Sequence, residues 1–108
     1  MNGFSVDYFT AQAAGLNLTY GVLVQSVTSN GPADQGGMKG GTYSVSVAGT
    51  QITAGGDLII QIGPQRVPTL EDMISYMDLN TTPGQIINFT VVRGNSTLIL
   101  PITLGMRP

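Results

Sequence analysis

The sequence predicts an α+β domain. Five to six short antiparallel strands would form a small, partly open β-barrel or sandwich, with one long helix and one or two short ones. Three observations carry that prediction. The run Leu58-Ile59-Ile60-Gln61-Ile62 is apolar on both faces and lies between a Gly56-Asp57 turn and a Gly63-Pro64 turn, the pattern of a central strand buried on both sides. A single long helix follows from Thr69, after a second short strand. The remaining β-rich segments are short and punctuated by many of the 15 glycines. The 108 residues suffice for one modest core and not for two, so residues 1–108 read as one domain.

Along the chain, residues 3–8 alternate loosely, with Phe4, Val6 and Tyr8 set against Ser5 and Asp7, which predicts a strand with unlike faces. Thr10 is placed to cap a short helical turn over residues 11–14, and Gly15 to end it. Residues 20–27 are β-branched and apolar enough for a mostly buried strand. The cluster Ser29-Asn30-Gly31-Pro32 marks a turn, and Pro32 suits the start of a brief helix over residues 33–35. Gly36, Gly37, Gly40 and Gly41 then interrupt regular structure. Period-two alternation in residues 42–53, with Tyr43, Val45 and Val47 on one face, predicts a small hairpin turning near Gly49 and carried as an insert.

Thr69 supplies an N-cap oxygen for the long helix, and Glu71 and Asp72 in its first turn suit the helix dipole. The apolar residues of this helix occupy two faces: Leu70, Ile74 and Met77 at i, i+4 and i+7, and Met73 with Tyr76 elsewhere. One face would pack on the sheet and the other stand over a groove; an entirely core role for the stripe is the plainer alternative. Thr82-Pro83-Gly84 stops the helix. Residues 86–93 and 97–104 predict a last hairpin, joined at Gly94-Asn95-Ser96, and residues 105–108 a tail.

Composition excludes several function classes. The chain has no Cys and no His, which removes disulfides, thiolate metal sites and the commonest general base. Four basic and six acidic residues give a net charge of −2 without a basic cluster, which argues against nucleic-acid binding. No apolar run approaches the ~20 residues that span a bilayer, and no leader pattern is present. Ser5, Ser26 and Ser75 lack a His or Lys partner, so no nucleophile is expected. The glycines at 36–41 lack the Lys-Ser/Thr pair of a phosphate cradle, and Asp57 reads as a turn former and strand cap. We therefore expect no catalytic residue, cofactor or metal in this chain.

Charged residues make up only 9% of the chain, far below the usual ~25%. Four of its six asparagines, Asn17, Asn80, Asn88 and Asn95, stand in Asn-x-Ser/Thr sequons, where chance gives about one. A Thr-rich β protein explains this blandly; an extracytoplasmic surface, glycosylated or facing acid, is the sharper alternative.

Four pieces carry a resemblance. Gly21-Val22-Leu23-Val24 with Val27 is similar to the strand preceding a "GSPA" helix, and Gly31-Pro32-Ala33 through Gly36-Gly37-Met38 to that helix itself. Gly56-Asp57-Leu58-Ile59-Ile60-Gln61-Ile62-Gly63 with Val67 resembles the signature GDxIxxxxGxxV. Thr69-Leu70-Glu71-Asp72-Met73, Pro83-Gly84, Arg93-Gly94 and Ile102-Thr103-Leu104-Gly105 follow in the right order. Together they resemble a PDZ domain, of the type that follows the trypsin-like domain in HtrA/DegP-type serine proteases, and cover nearly the whole chain.

The resemblance implies a PDZ-like fold and capture of a target's C-terminal or extended tail as an added strand, with backbone amides of an X-Φ-G-Φ loop holding the terminal carboxylate. Matching residue by residue puts Gly3 and Phe4 at G-Φ, Asn2 at the first Φ where the family prefers Leu, Ile or Tyr, and Val6 as the next side chain facing the groove, with Ser5 between. From the helix, the matching positions are Leu70, Ile74 and Met77. An aliphatic Leu70, where some PDZ domains carry His, implies an apolar preference two residues from the ligand's end. The loop pattern is incomplete at Met1, and the insert at residues 42–53 departs from ordinary PDZ domains. The expected partners are tails of unfolded or cleaved proteins and the domain's own protease domain, in an extracytoplasmic or membrane-associated parent. The alternative is a structural or oligomerisation domain packed on the protease domain with its groove unused.

Overall fold

A computed structural model describes residues 2–104; Met1 and residues 105–108, hence the expected tail and the start of the X-Φ-G-Φ loop, lie outside them. The elements run β1 Asn2–Ser5, α1 Tyr8–Ala14, β2 Val22–Ser26, α2 Pro32–Gln35, β3 Tyr43–Val47, β4 Thr50–Ala54, β5 Leu58–Ile62, β6 Gln65–Arg66, α3 Leu70–Asn80, β7 Ile86–Arg93 and β8 Ser96–Thr103. Six strands form one antiparallel sheet in the order β1-β2-β5-β7-β8, with β6 beside β5, while β3 and β4 pair separately. The sheet does not close into a barrel. With three helices on it, this is the partly open α+β architecture expected.

β5 sits centrally because it can be buried on both faces, and its side chains show how. Leu58 and Ile60 join a cluster with Val6, Ala11, Ala14, Leu23, Ile52 and Ala54. Ile59 and Ile62 join the larger cluster on the other face, with Val22, Val24, Met38, Val67, Met73, Phe89, Val91 and Ile102. Helices α2 and α3 cover the larger cluster. α1 and the β3–β4 hairpin cover the smaller one, so the segment at 42–53 roofs a second layer of core. Gln25 fastens that roof. Its side-chain amide donates to the Thr53 carbonyl at 2.8 Å and accepts from the Thr53 N–H at 2.6 Å, copying one rung of a strand ladder.

The amino-terminal segment departs from expectation. The first strand ends at Ser5 rather than near Tyr8, because Asp7 starts a helix: its carboxylate accepts from the Thr10 N–H at 2.8 Å. Asp7 is therefore the N-cap and Thr10 a buried residue of the first turn. Gly15 ends α1 in the left-handed conformation at φ 71°, as its position suggested.

Thr69 caps α3 by accepting from the Asp72 N–H at 3.1 Å, and Met73 is the helix's buried anchor. The helix ends at Asn80, two residues before the expected Thr82-Pro83-Gly84 stop.

Candidate functional site

Among the described residues β1 is the edge strand of the main sheet, with β2 as its neighbour. The pairing runs Gly3↔Val24, Phe4↔Leu23 and Ser5↔Val22, and the Val6 N–H donates to the Gly21 carbonyl at 3.0 Å. Antiparallel ladders alternate, so Phe4 shares the next hydrogen-bonded pair with Leu23. The N–H and C=O groups of Gly3 and Ser5 then point away from β2, along the open edge. The N–H of Val24 turning to the carbonyl of Asp57, just before β5, at 2.9 Å fixes the same phase from the other side.

The amino end of α3 rests against this strand. The Leu70 N–H donates to Ser5 Oγ at 2.8 Å, and the Ser5 hydroxyl donates to Glu71 Oε2 at 3.4 Å. At Gly3, a Cβ would fall 2.5 Å from Val22 Cγ1 and 3.3 Å from Leu70 Cδ1. Glycine is thus the residue that lets strand and helix approach this closely. The face of β1 turned to α3 consists of Gly3 and Ser5.

That geometry reverses one expectation. Phe4 and Val6 were matched to groove-facing positions, yet Val6 is buried among Ala11, Ala14 and Leu23, and Phe4 packs on the same cluster. Both point to the α1 side of the sheet. The register shift at Asn2 and Gly3 leaves Gln25 of β2 over and does not disturb the alternation of residues 3–6, while α1 supplies the apolar surface that Phe4 and Val6 cover.

Of the other matched residues, Asn2 is exposed, with its Nδ2 donating to Ser26 Oγ at 3.3 Å. Leu70 and Met77 are half-buried on the larger core, and Ile74 is 45% exposed on the flank of α3. The helix stripe therefore divides between packing and solvent. The space between β1 and α3 is closed where Leu70 meets Gly3 and Ser5, and Ile74, one turn further along α3, is exposed.

A second polar centre holds the signature segment. Asp57 is fully buried, and Arg93 of β7 grips it with two parallel bonds, Nε to Oδ1 and Nη2 to Oδ2, both 2.7 Å. The Lys39 N–H donates to Oδ2 at 2.9 Å and Arg93 Nη2 also donates to the Gly37 carbonyl at 2.7 Å, tying residues 37–39 to the sheet. Hydrogen bonding to Asp57 raises the Arg93 pKa above its ordinary value against the opposing effect of burial. Sequence reading placed Asp57 in a turn but missed its partner. A Cβ at Gly56 would collide with the Val24 carbonyl and with the backbone at Gly40 and Gly41, which accounts for Gly-Asp at this point. The centre is structural: every oxygen of the carboxylate is already engaged.

A family model for the PDZ domain matches residues 9–104. The chain belongs to the PDZ domain family. Over 98 residues, 91% of the chain, it is 33% identical to a protein of Ectopseudomonas mendocina (strain ymp) named "Probable periplasmic serine endoprotease DegP-like". This PDZ domain corresponds to 17% of that relative, about one sixth of its length. The family match begins after β1, so the edge strand is known here from its own geometry. No helix among the described residues is long and apolar enough to cross a membrane.

Proposed function

We propose that this PDZ domain captures apolar C-terminal or extended tails of unfolded or cleaved proteins, which add as a strand to the edge of β1. We further propose that it serves a DegP-like serine endoprotease outside the cytoplasm, where it recruits substrate or regulates the protease domain. The observation that carries the reading is the outward ladder of Gly3 and Ser5, an unpaired edge beside the apolar flank of α3. Asn2, Phe4 and Val6 contribute backbone and support to the strand. Leu70, Ile74 and Met77 offer the side chains, and Leu70 must swing from Gly3 as the ligand enters.

Burying one terminal Leu or Val contributes ~1.5–3 kcal/mol. About four strand hydrogen bonds at ~1 kcal/mol each bring the total to roughly 4–8 kcal/mol, a micromolar to millimolar affinity. Titrating peptides that end in Val, Leu or Phe tests this. Ile74→Asp, at an exposed position, is expected to weaken binding about tenfold or more, ~1.4 kcal/mol, and amidating the terminus to weaken it further. Unchanged affinity on amidation removes the carboxylate from the proposal.

One observation favours a second reading. The Ser5–Leu70 and Ser5–Glu71 contacts already seal one end of the space, as they would in a domain that packs on its protease domain with the groove unused. Under that reading none of these peptides binds, and Leu70→Asp alters assembly of the full-length protein alone.

A further inference from the structure

The four sequons differ in their placement in the fold. All four asparagines are exposed. Asn17 lies in the irregular stretch between α1 and β2, and Asn95 in the two-residue turn between β7 and β8, with the Ser96 and Thr97 of its sequon opening the outer strand β8 opposite Arg93 and Val92. Neither side chain makes a hydrogen bond among the described residues. Both line one shallow cleft of about 250 Å³, with Leu16, Leu18, Leu58 and Val92.

In the other two the asparagine itself is part of a regular element. Asn80 closes α3, where its Nδ2 donates to the Tyr76 carbonyl at 3.2 Å. The two residues after it are engaged as well: Thr81 Oγ1 donates to the Met77 carbonyl at 2.6 Å, and the Thr82 N–H to Gln85 Oε1 at 3.0 Å. Asn88 stands in the middle of β7 between β5 and β8, opposite Pro101, and its carbonyl accepts from the Gly63 N–H at 2.8 Å.

We propose that Asn17 and Asn95 are acceptors for N-linked oligosaccharide in the folded domain, and that folding withholds Asn80 and Asn88. The transfer needs an oligosaccharide activated as a lipid-linked diphosphate. Asn Nδ2 bonds to the sugar's anomeric carbon, the anomeric carbon–oxygen bond to the diphosphate breaks, and the diphosphate leaves with that electron pair. One Nδ2 proton passes to a base of the transferase. The enzyme must reach the asparagine and the hydroxyl two residues on at once, and so must grip three successive residues. Chain spent on a helix end or a central ladder is not free to be gripped, whereas a loop is, and so is a hairpin tip that runs into the exposed first residues of the outer strand β8, for the reason loop tips are also cleaved first by proteases. Sugar on Asn17 or Asn95 then lies over the cleft on the α1 side of the sheet, away from the Ser5–Leu70 face, so peptide capture and glycosylation are independent.

The test uses an oligosaccharyltransferase that accepts all four sequons as free peptides, with its lipid-linked donor, on the folded chain. Intact mass is expected to show at most two additions, and peptide mapping to place them at Asn17 and Asn95. Thr97→Ala is expected to abolish the addition at Asn95 and Thr97→Ser to restore it. A folded chain left unmodified, or modified at Asn80 or Asn88 as fast as at Asn95, overturns the proposal.

Discussion

At Asp57 a carboxylate with no exposure is held by one guanidinium and one backbone amide, and those bonds join the glycine-rich segment, β5 and the end of β7. Removing one member strands the other. Arg93→Leu leaves Asp57 buried beside a single N–H, and the expected cost is about 3 kcal/mol, the low end for a broken buried pair because the Arg93 side chain is 38% exposed. Urea denaturation reads this directly; Asp57→Asn with Arg93→Leu is expected to be less damaging than Arg93→Leu alone, since no charge is then left unpaired. A loss within experimental error for Arg93→Leu contradicts the account. The sequence exposes Asp57 through its Gly-Asp turn but gives no sign of Arg93, 36 residues away and in a strand whose local pattern is complete without it. Gln25 is illegible for the same reason, since its bonds to Thr53 cross 28 residues.

Among the elements, those with a local punctuation mark are the ones readable in advance. Thr69 announces α3, Pro32 announces α2, and the apolar run at 58–62 announces β5. Where two candidate caps compete, local pattern fails, as at Thr10 and Asp7. The cap makes a prediction at low pH. The amide and hydroxyl of Thr10 hold the Asp7 carboxyl below its ordinary value of 3.8. A carboxylate with a depressed folded pKa stabilises fully above its unfolded pKa, and the contribution is lost as pH falls through the lower folded value. Asp7→Asn keeps the cap without the charge, so the wild type's advantage over it is expected to hold at pH ~5 and to vanish by pH ~2. Thermal denaturation of both proteins across that range checks the sign; an advantage that grows on acidification contradicts it. The direction of β1 was the other illegible feature. A strand of four residues carries too little alternation to say which face meets α3, and the structure turns Phe4 and Val6 to the α1 side rather than to the groove.

For the whole molecule, the two-layered core explains why a chain this small and sparsely charged holds an open sheet. Each face of β5 has its own cover, α2 with α3 on one side and α1 with the β3–β4 hairpin on the other, and β1 is left as an edge. The architecture was legible because hydrophobic period and turn signals agree along most of the chain. The candidate site was legible only in part, since an edge strand's free backbone groups are set by pairing phase, which no side chain encodes. The phase also supplies the most direct measurement: backbone amide NMR shifts as a peptide ending in Leu is added. The amides of Gly3 and Ser5 are expected to move most, and those of Phe4 and Val6, bonded to β2, to move least. Shifts confined to other elements, or equal along the strand, would contradict strand addition at this edge.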